Sequence, residues 1–343
     1  MTSQASISWQ RDAGAAPRRP IFLHSGYRSG STWFWNRFRE CADACAYCEP
    51  FNVKLAVLTP EVIAADRPDA WPSGHPAGIR PYNAEYEPLL APGGGVRMYE
   101  QRFGIETYYK TEADLGIDGY LAMLVGHARR LGKVPVLGFC CSLGRVQWFR
   151  KFADGWNVVT WRNPRDQWLS CHRQWTEHAN FSFEVHALLA AYIGRFVPPL
   201  APFFSDLGPL PSPDEIAPAM PLFADPRGVE LRFRAFLRVF TLDTLLSIAN
   251  ADLVVDLDQL AQSRAYRGSV TDRLRLASGL DDLSFEDCRL PRHRFDTDAD
   301  YAALLRQERD FLETLATTPQ ARAFGKSLPF LRAKLEALLA EAS

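Results

Sequence analysis

The most informative residues of this chain lie near its amino end, where positions 24–33 read His-Ser-Gly-Tyr-Arg-Ser-Gly-Ser-Thr-Trp. The apolar residues 20–23 precede this run and predict a buried strand, and residues 33–40 follow it and predict a helix. The backbone N–H groups of a first helical turn have no intrahelical partner and carry partial positive charge, so a strand, a small-residue turn and a helix together can bind an anion. Arg28 adds a permanent cation with a planar set of donors. This part of the sequence predicts a phosphate-binding loop in a protein of the α/β class.

The loop differs from the P-loop of nucleotide triphosphatases, G-x-x-x-x-G-K-[ST]. Counted from Gly26 it is one residue short, and Ser31 rather than a lysine follows Gly30. Because that lysine contacts the β- and γ-phosphates in a P-loop, its absence disfavours ATP or GTP hydrolysis. A nucleotide kinase-like P-loop enzyme stays open as an alternative, and an ordinary strand-to-helix turn without a ligand is the simplest one.

A second anion site is predicted near the middle of the chain. Residues 158–161 are β-branched and aromatic and predict a strand, and Pro164 is suited to open the following helix. Arg162 then lies at the carboxyl end of a strand, and Ser170 lies about two helical turns further on. A guanidinium and a hydroxyl in this arrangement can bind a phosphate. A surface salt bridge between Arg162 and Asp166 is the alternative.

The two motifs together resemble those of the sulfotransferases that use 3′-phosphoadenosine 5′-phosphosulfate (PAPS). Residues 28–33 (RSGSTW) are similar to the family's 5′-phosphosulfate loop, and residues 162–166 (RNPRD) with Ser170 are similar to its 3′-phosphate motif. Arginine at position 28 and the pair Glu49-Pro50 resemble the carbohydrate and tyrosylprotein branches. The resemblance covers residues 20–52 and 134–171, with a weaker likeness at 253–260.

The resemblance implies a P-loop-like sulfotransferase fold: a three-layer α/β sandwich with a central, mostly parallel sheet. It implies PAPS as co-substrate, PAP as product and no requirement for a metal. PAPS has two separated phosphate groups, and ligands of parallel α/β sheets lie outside the carboxyl ends of the strands, where both motifs are predicted to lie. The cofactor-binding residues that it implies are Arg28, Ser29, Gly30, Ser31, Thr32, Trp33, Arg162 and Ser170.

The catalytic residues that the resemblance implies are Arg28, which would stabilise the leaving phosphate, and Glu49, which would act as general base. Glu49 is expected to follow a second strand beside the loop, and the alternative is that its carboxylate only orients Arg28. His24 and His172 are rival bases because an unperturbed imidazole titrates near neutrality. Their predicted positions, on a strand and within a helix, favour structural roles for both.

The chain departs from the family after a third predicted strand, Val134–Phe139. Many members have a lysine or histidine at the end of this strand, whereas here Cys140 and Cys141 follow it. The nearest cation is Arg145. Either Arg145 substitutes for the missing group, or Arg28 carries that role alone.

Three cysteines offer a competing hypothesis. Cys41, Cys45 and Cys48 have the spacing C-x₃-C-x₂-C, which suits the iron–sulfur cluster of a radical S-adenosylmethionine enzyme. Their predicted placement, at a helix end and along a strand, argues against a shared cluster. A catalytically idle PAP-binding protein is a further alternative.

The composition is that of a globular protein, with 343 residues, 47% hydrophobic, 23% charged and a net charge of −1. This charge balance predicts neither a nucleic-acid surface nor an anionic membrane surface, and no apolar run reaches the length of a membrane span. We therefore expect a cytoplasmic enzyme. The expected partner is a hydroxyl-bearing acceptor, such as a carbohydrate or a small natural product, and a homodimer is left open.

The predicted domain organisation follows from the expectation that both motifs bind one ligand. Residues 1–19 are polar and predict a flexible segment. Residues 20–343 are expected to form one sulfotransferase domain, because positions 28 and 162 would bind one molecule. Pro-rich insertions near 58–118 and 197–228 are predicted to form the acceptor pocket or its lid, the alternative being surface loops held by aromatic residues.

Overall fold

The centre of the molecule is an all-parallel, five-stranded β-sheet. The computed structural model describes residues 19–66, 80–216, 226–290 and 301–342. The strands, in the spatial order β2-β3-β1-β4-β5, are β1 Ile21–His24, β2 Ala44–Cys48, β3 Val134–Phe139, β4 Trp156–Trp161 and β5 Leu253–Asp256. The α/β class predicted from the sequence is confirmed.

Helices connect and cover these strands. Within the described ranges they are α1 Ser31–Arg39, α2 Pro60–Ala65, α3 Leu115–Arg130, α4 Val146–Phe152, α5 Pro164–His178, α6 Ser182–Gly194, α7 Pro226–Asn250, α8 Leu257–Gln262, α9 Arg264–Ser278, α10 Tyr301–Ala316, α11 Ala321–Phe324 and α12 Ser327–Ala342. Short 3₁₀ turns lie at Val53–Val57, Ala84–Leu89, Gln101–Phe103, Leu143–Arg145 and Ala201–Phe204.

Alternation along the strands separates two apolar cores, because successive side chains of a strand point to opposite faces of the sheet. In β1, Phe22 joins the core built with α3 to α7, whereas Ile21 and Leu23 join the core built with α1, α8 and α9. The strand β3 divides in the same way, with Leu137 on the first face and Val136 on the second. Helices therefore flank the sheet on both faces.

The chain order places β1 at a reversal point of the sheet. From β1 the chain passes to the edge strand β2, returns to β3 beside β1, and then crosses to β4 on the other side of β1. Ligands of open parallel sheets bind at such points, outside the carboxyl ends of the strands. The loop after β1 and the turn after β4 lie at this edge, next to each other.

The described parts of the two insertions contribute largely to packing. Phe203 and Phe204 are buried, and Phe203 packs on Phe311 and Phe324 beside α10 and α11. Tyr82 and Tyr86 of the first insertion are also buried. The predicted flexible segment, apart from residue 19, and insertion residues 67–79 and 217–225 lie outside the described residues. None of the described helices is both long and apolar enough to cross a membrane.

Candidate functional site

The loop between β1 and α1 is a tight turn with two left-handed backbone positions. Arg28 has φ 59° and Gly30 has φ 99°. The Ser29 hydroxyl donates to the Gly26 carbonyl at 2.7 Å, which closes the turn. Gly30 is the N-cap of α1, so the helix begins at Ser31, two residues before the predicted start. No acidic residue occupies the first turn, and the helix therefore presents its N–H groups without a competing carboxylate.

The helix start also carries the two hydroxyls that the sequence predicted for the 5′-phosphate, those of Ser31 and Thr32, which are half-buried and follow Gly30 directly. The Trp33 ring instead packs on Phe285, with 6.0 Å between the centroids, so the backbone N–H is what Trp33 can offer to a ligand. The Cys140 thiol, at the end of β3, donates to the Ser31 hydroxyl at 3.2 Å. Ser31 and Thr32 thus line a small pocket at the carboxyl edge of the sheet.

The two predicted anion sites are in direct contact. The Arg162 Nη1 donates to the Arg28 carbonyl at 2.8 Å, across 134 residues of sequence. The Arg28 Nε donates to the Ser170 hydroxyl at 3.0 Å. Because Ser170 accepts this bond with a lone pair, its O–H still has a proton to donate to a phosphate. The structure therefore brings Arg28, Arg162 and Ser170 into one cluster.

Two guanidinium groups bring positive charge to this cluster. Burial lowers the pKa of both guanidinium groups, and the nearby Arg162 charge lowers that of Arg28 further, although both remain charged. The carboxylate of Asp258 has the opposite effect on the pKa of Arg162 and accepts a hydrogen bond from the Asn163 N–H at 2.6 Å. Arg162 is 3% exposed, and the carboxylate of Asp166, its predicted alternative partner, also raises its pKa.

The sequence analysis did not identify Gln167 of α5, whose side chain binds the loop between β1 and α1. Its Nε2 donates to the Tyr27 carbonyl at 2.7 Å, and it is buried. A Cβ on Gly26 would lie 2.5 Å from this same Nε2 atom, so Gln167 and Gly26 fit together only because position 26 has no side chain. Arg162 lies just before α5, and Gln167 and Ser170 lie on it. This spacing could have indicated that Gln167 also contacts the loop.

Glu49 lies where the sequence predicted it, directly after β2. Its N–H donates to the Gly138 carbonyl of β3 at 2.7 Å, and its backbone has φ 44°, which is rare for a residue with a side chain. The Asn52 amide donates to the Glu49 Oε2 at 2.6 Å, so Asn52 orients the carboxylate.

A small pocket joins Glu49 to the helix start. Its lining includes Ser31, Thr32, Trp35, Glu49 and Cys140. Burial and then the Glu49 carboxylate raise the pKa of the Cys140 thiol well above its usual range. The thiol therefore stays neutral, and Glu49 is the group in this pocket able to accept a proton.

The two rival histidines have structural roles. The His24 Nε2 lies 3.1 Å from the Asn157 Oδ1, which only accepts, so Nε2 is the protonated nitrogen and Nδ1 accepts from the Ser142 hydroxyl at 2.7 Å. Burial lowers the pKa of His24 to about 3. His172 pairs with the buried Glu184 at 3.2 Å. Both imidazoles are thus engaged away from the pocket at Glu49.

Arg145 does not take the place of the missing lysine or histidine by direct contact. Its side chain is completely buried and donates to the Phe103 and Gly104 carbonyls and to the Thr107 hydroxyl. Its guanidinium also lies over the Phe51 ring, 4.6 Å from the centroid. The two terminal nitrogens of the Arg145 guanidinium therefore bind residues 103–107. Arg145 can act on the candidate site through its charge but not by direct contact.

The structure does not place Cys41, Cys45 and Cys48 where they could share an iron–sulfur cluster. Cys45 and Cys48 point to opposite faces of β2 and belong to different apolar cores. Cys41 follows α1 and donates to the Arg37 carbonyl at 3.4 Å. Thiols on the two sides of a sheet cannot ligate one cluster.

The fold is thus that of an α/β protein, in which the two motifs predicted to bind anions are in contact at the carboxyl edge of a parallel sheet. Comparison of the chain with protein-family models, with curated proteins and with solved structures found no match.

Proposed function

We propose that this protein is a PAPS-dependent sulfotransferase with the P-loop-like fold of that family, which transfers a sulfuryl group to an acceptor hydroxyl. The contact between the Arg162 guanidinium and the Arg28 carbonyl is the observation that carries the proposal. PAPS has phosphate groups on the 5′ and 3′ positions of one ribose, and such a ligand needs two adjacent anion sites. The pairing of Arg28 with Ser170 supports the same assignment, because it joins the two motifs that the resemblance connects.

Different residues would hold the two phosphate groups of PAPS. Arg28 and the N–H groups at the start of α1 would hold the 5′-phosphate, with Ser31 and Thr32 as hydroxyl donors. Arg162 and the Ser170 O–H would hold the 3′-phosphate. Filling both sites with anions would offset the electrostatic cost of two neighbouring guanidinium groups.

The transfer step then follows from this placement. The acceptor oxygen attacks sulfur as the bond between sulfur and the bridging phosphate oxygen breaks, and the acceptor proton passes to Glu49. Charge develops on the leaving 5′-phosphate of PAP, where Arg28 and the fixed N–H donors stabilise it. The products are a sulfate ester and PAP.

The test of cofactor binding uses two arginines of the same segment. Arg162→Ala should weaken PAP binding by about 1.5–3 kcal/mol, or about 10- to 150-fold, because charge-assisted hydrogen bonds are lost. Arg165→Ala is the matched control, since Arg165 is exposed, lies in the first turn of α5, and its substitution removes the same charge. Titration calorimetry with PAP gives both constants. Equal affinities in the two variants would contradict the site assignment.

The test of catalysis uses Glu49→Gln, which keeps the shape and the Asn52 contact region but cannot accept the proton. Sulfuryl transfer from labelled PAPS into a pool of hydroxyl compounds, read by mass spectrometry, should fall about 10²- to 10⁴-fold. The affinity for PAP should stay close to that of the unchanged protein. Unaltered transfer would remove Glu49 from the mechanism, and PAP binding without transfer to any acceptor would favour a binding protein.

A further inference from the structure

A small cavity borders the loop between β1 and α1 and lies between β4, α5 and α7. It leaves about 20 Å³ for the centre of a water molecule, which is enough for one water. Pockets for organic ligands are far larger, at about 300–1,000 Å³. The residues that line the cavity are buried, except for Gly26 of the loop, which is half-buried. The cavity therefore suits a very small ligand.

The helix α7 brings two hydroxyl groups to this cavity. Thr244 and Ser247 line it about one helical turn apart, beside the apolar side chain of Ile248. A buried serine in a helix commonly donates to a carbonyl of the preceding turn, as Ser278 does in α9 at 2.6 Å. Ser247 is 1% exposed, and its Oγ has no hydrogen-bond partner among the residues that the structure describes. Its hydroxyl therefore requires a partner within the cavity.

The strand β4 and the helix α5 bring N–H donors to the same cavity. Trp161 is buried, and its indole Nε1, which can only donate, has no partner within the described ranges. The Gln167 Nε2 donates one proton to the Tyr27 carbonyl and carries a second one. Buried polar atoms of folded proteins nearly always have a partner, from the protein or from an ordered water.

The chemistry of the lining favours water over an ion. Arg162 lines the cavity, and no carboxylate does so in the part of the chain that the structure describes. A cation would therefore meet a guanidinium charge without a compensating ligand. A halide ion accepts hydrogen bonds but has no proton to donate. Water does both, which matches a lining of N–H donors and hydroxyl groups.

We propose that one buried water binds in this cavity and connects α7 to the residues that hold the loop between β1 and α1. The water accepts hydrogen bonds from the Trp161 and Gln167 N–H groups and donates to the Ser247 hydroxyl. Because Gln167 also binds the Tyr27 carbonyl, the water makes α7 part of the support of the loop. This inference goes beyond the proposed function and does not depend on PAPS.

The first experiment detects the water by nuclear magnetic resonance in the deuterated protein with isotope-labelled tryptophan. The Trp161 indole N–H should give a cross-peak at the water frequency, with the sign of a long-lived bound water. Trp148 is the matched control, because its Nε1 is also buried and has no partner among the described residues, but it does not line the cavity. The absence of a cross-peak at Trp161, or equal cross-peaks at both indoles, would overturn the proposal.

Two further controls identify the source of the signal. A hydroxyl proton that exchanges with water gives a similar cross-peak, so the peak should persist in Ser247→Ala and in Thr244→Val. Its loss in either variant would assign the signal to the hydroxyl and contradict the water. A crystal soaked in bromide separates water from an anion, since an anomalous peak within the cavity would show that an anion binds there instead.

The connection to the loop is tested by hydrogen exchange. Ser247→Val fills the cavity and displaces the water, and serine and valine have similar helix propensities. Amide exchange of residues 25–31 should become about three- to tenfold faster, the scale of one neutral hydrogen bond, while exchange in α9 stays unchanged. Unchanged or slower exchange of residues 25–31 would show that the cavity gives the loop no support through a water.

Discussion

Two residues of the site adopt a backbone conformation that residues with side chains rarely take. Arg28 and Glu49 both have positive φ, at the carboxyl ends of β1 and β2. Such positions cost on the order of 1–3 kcal/mol and persist where the surrounding structure over-determines them. At Arg28 the carbonyl is held by Arg162, and at Glu49 the N–H is held by Gly138. Met98 and Ala179 are the other described non-glycine residues with positive φ, and neither belongs to the candidate site.

His24 gives a prediction about acid stability. Its pKa is about 3 in the folded protein, below the ordinary value of 6.5, so the stability that its neutral form contributes is fully present above pH 6.5. That stability is lost as the pH falls from 6.5 towards 3, at about 1.4 kcal/mol per pH unit. Urea unfolding between pH 7 and pH 4 should therefore show a shallower pH dependence in His24→Gln. His178→Gln, at the exposed end of α5, serves as the control. Identical pH slopes in His24→Gln and the unchanged protein would contradict the assignment of His24 as a buried neutral imidazole.

At the scale of elements, α5 and the turn before it position the loop between β1 and α1. Asn163 caps the helix through the Arg165 N–H, and Pro164 occupies its first turn, so the helix begins directly after β4. Arg162 and Gln167 then bind two successive carbonyls of the loop, those of Arg28 and Tyr27. In a trans peptide the N–H points away from the carbonyl. By binding the carbonyls, Arg162 before α5 and Gln167 on α5 set the direction of the loop's N–H groups.

This arrangement predicts a specific role for Gln167. Gln167→Met removes the donor to the Tyr27 carbonyl and should weaken PAP binding about three- to tenfold, the scale of a neutral hydrogen bond. Gln174→Met is the matched control, because Gln174 lies on the same helix about two turns away and is equally buried. Urea unfolding reports the stability of both variants.

If both variants lose stability but only Gln167→Met loses PAP affinity, Gln167 positions the loop. Equal losses of PAP affinity would show that any buried glutamine of α5 has the same effect, and the positioning role would be wrong.

At the scale of the whole molecule, the sheet order makes two distant parts of the chain into one site. β1 and β4 are neighbours, and the motifs that follow them meet at the reversal point of the sheet. A ligand that contacts both motifs binds the folded state alone. Binding should therefore stabilise the entire fold rather than one loop.

The prediction at this scale compares PAP with its two monophosphate parts. PAP at a hundred times its dissociation constant should stabilise the protein by about 2.7 kcal/mol, seen as a rise in Tm. Adenosine 5′-phosphate and adenosine 3′-phosphate at the same concentration should each raise the Tm less, because each fills one of the two anion sites. A monophosphate that matches PAP would show that the second motif takes no part in binding.

Local sequence patterns predicted the strands well. Residues 44–48 and Val134–Phe139 were predicted with the observed bounds, and the β1 and β4 strands were predicted to within two residues. These elements are short, apolar and bounded by turn residues, so neighbouring residues alone specify them. The start of α1 was wrong by two residues, because a left-handed glycine begins the helix earlier than the apolar pattern indicates.

The sequence by itself determined the α/β class, the turn between β1 and α1 and the position of Arg162 after a strand, because periodicity, turn residues and helix starts are local properties. Only the tertiary structure decided that Arg28 and Arg162 touch, that Gln167 holds the loop, that Arg145 is buried beneath residues 103–107, and that Cys45 and Cys48 face opposite cores. These contacts depend on the order of the strands in the sheet and on the face of the sheet that each side chain occupies. Both are decided by how the whole chain buries its apolar surface, and a short segment of sequence does not contain that information.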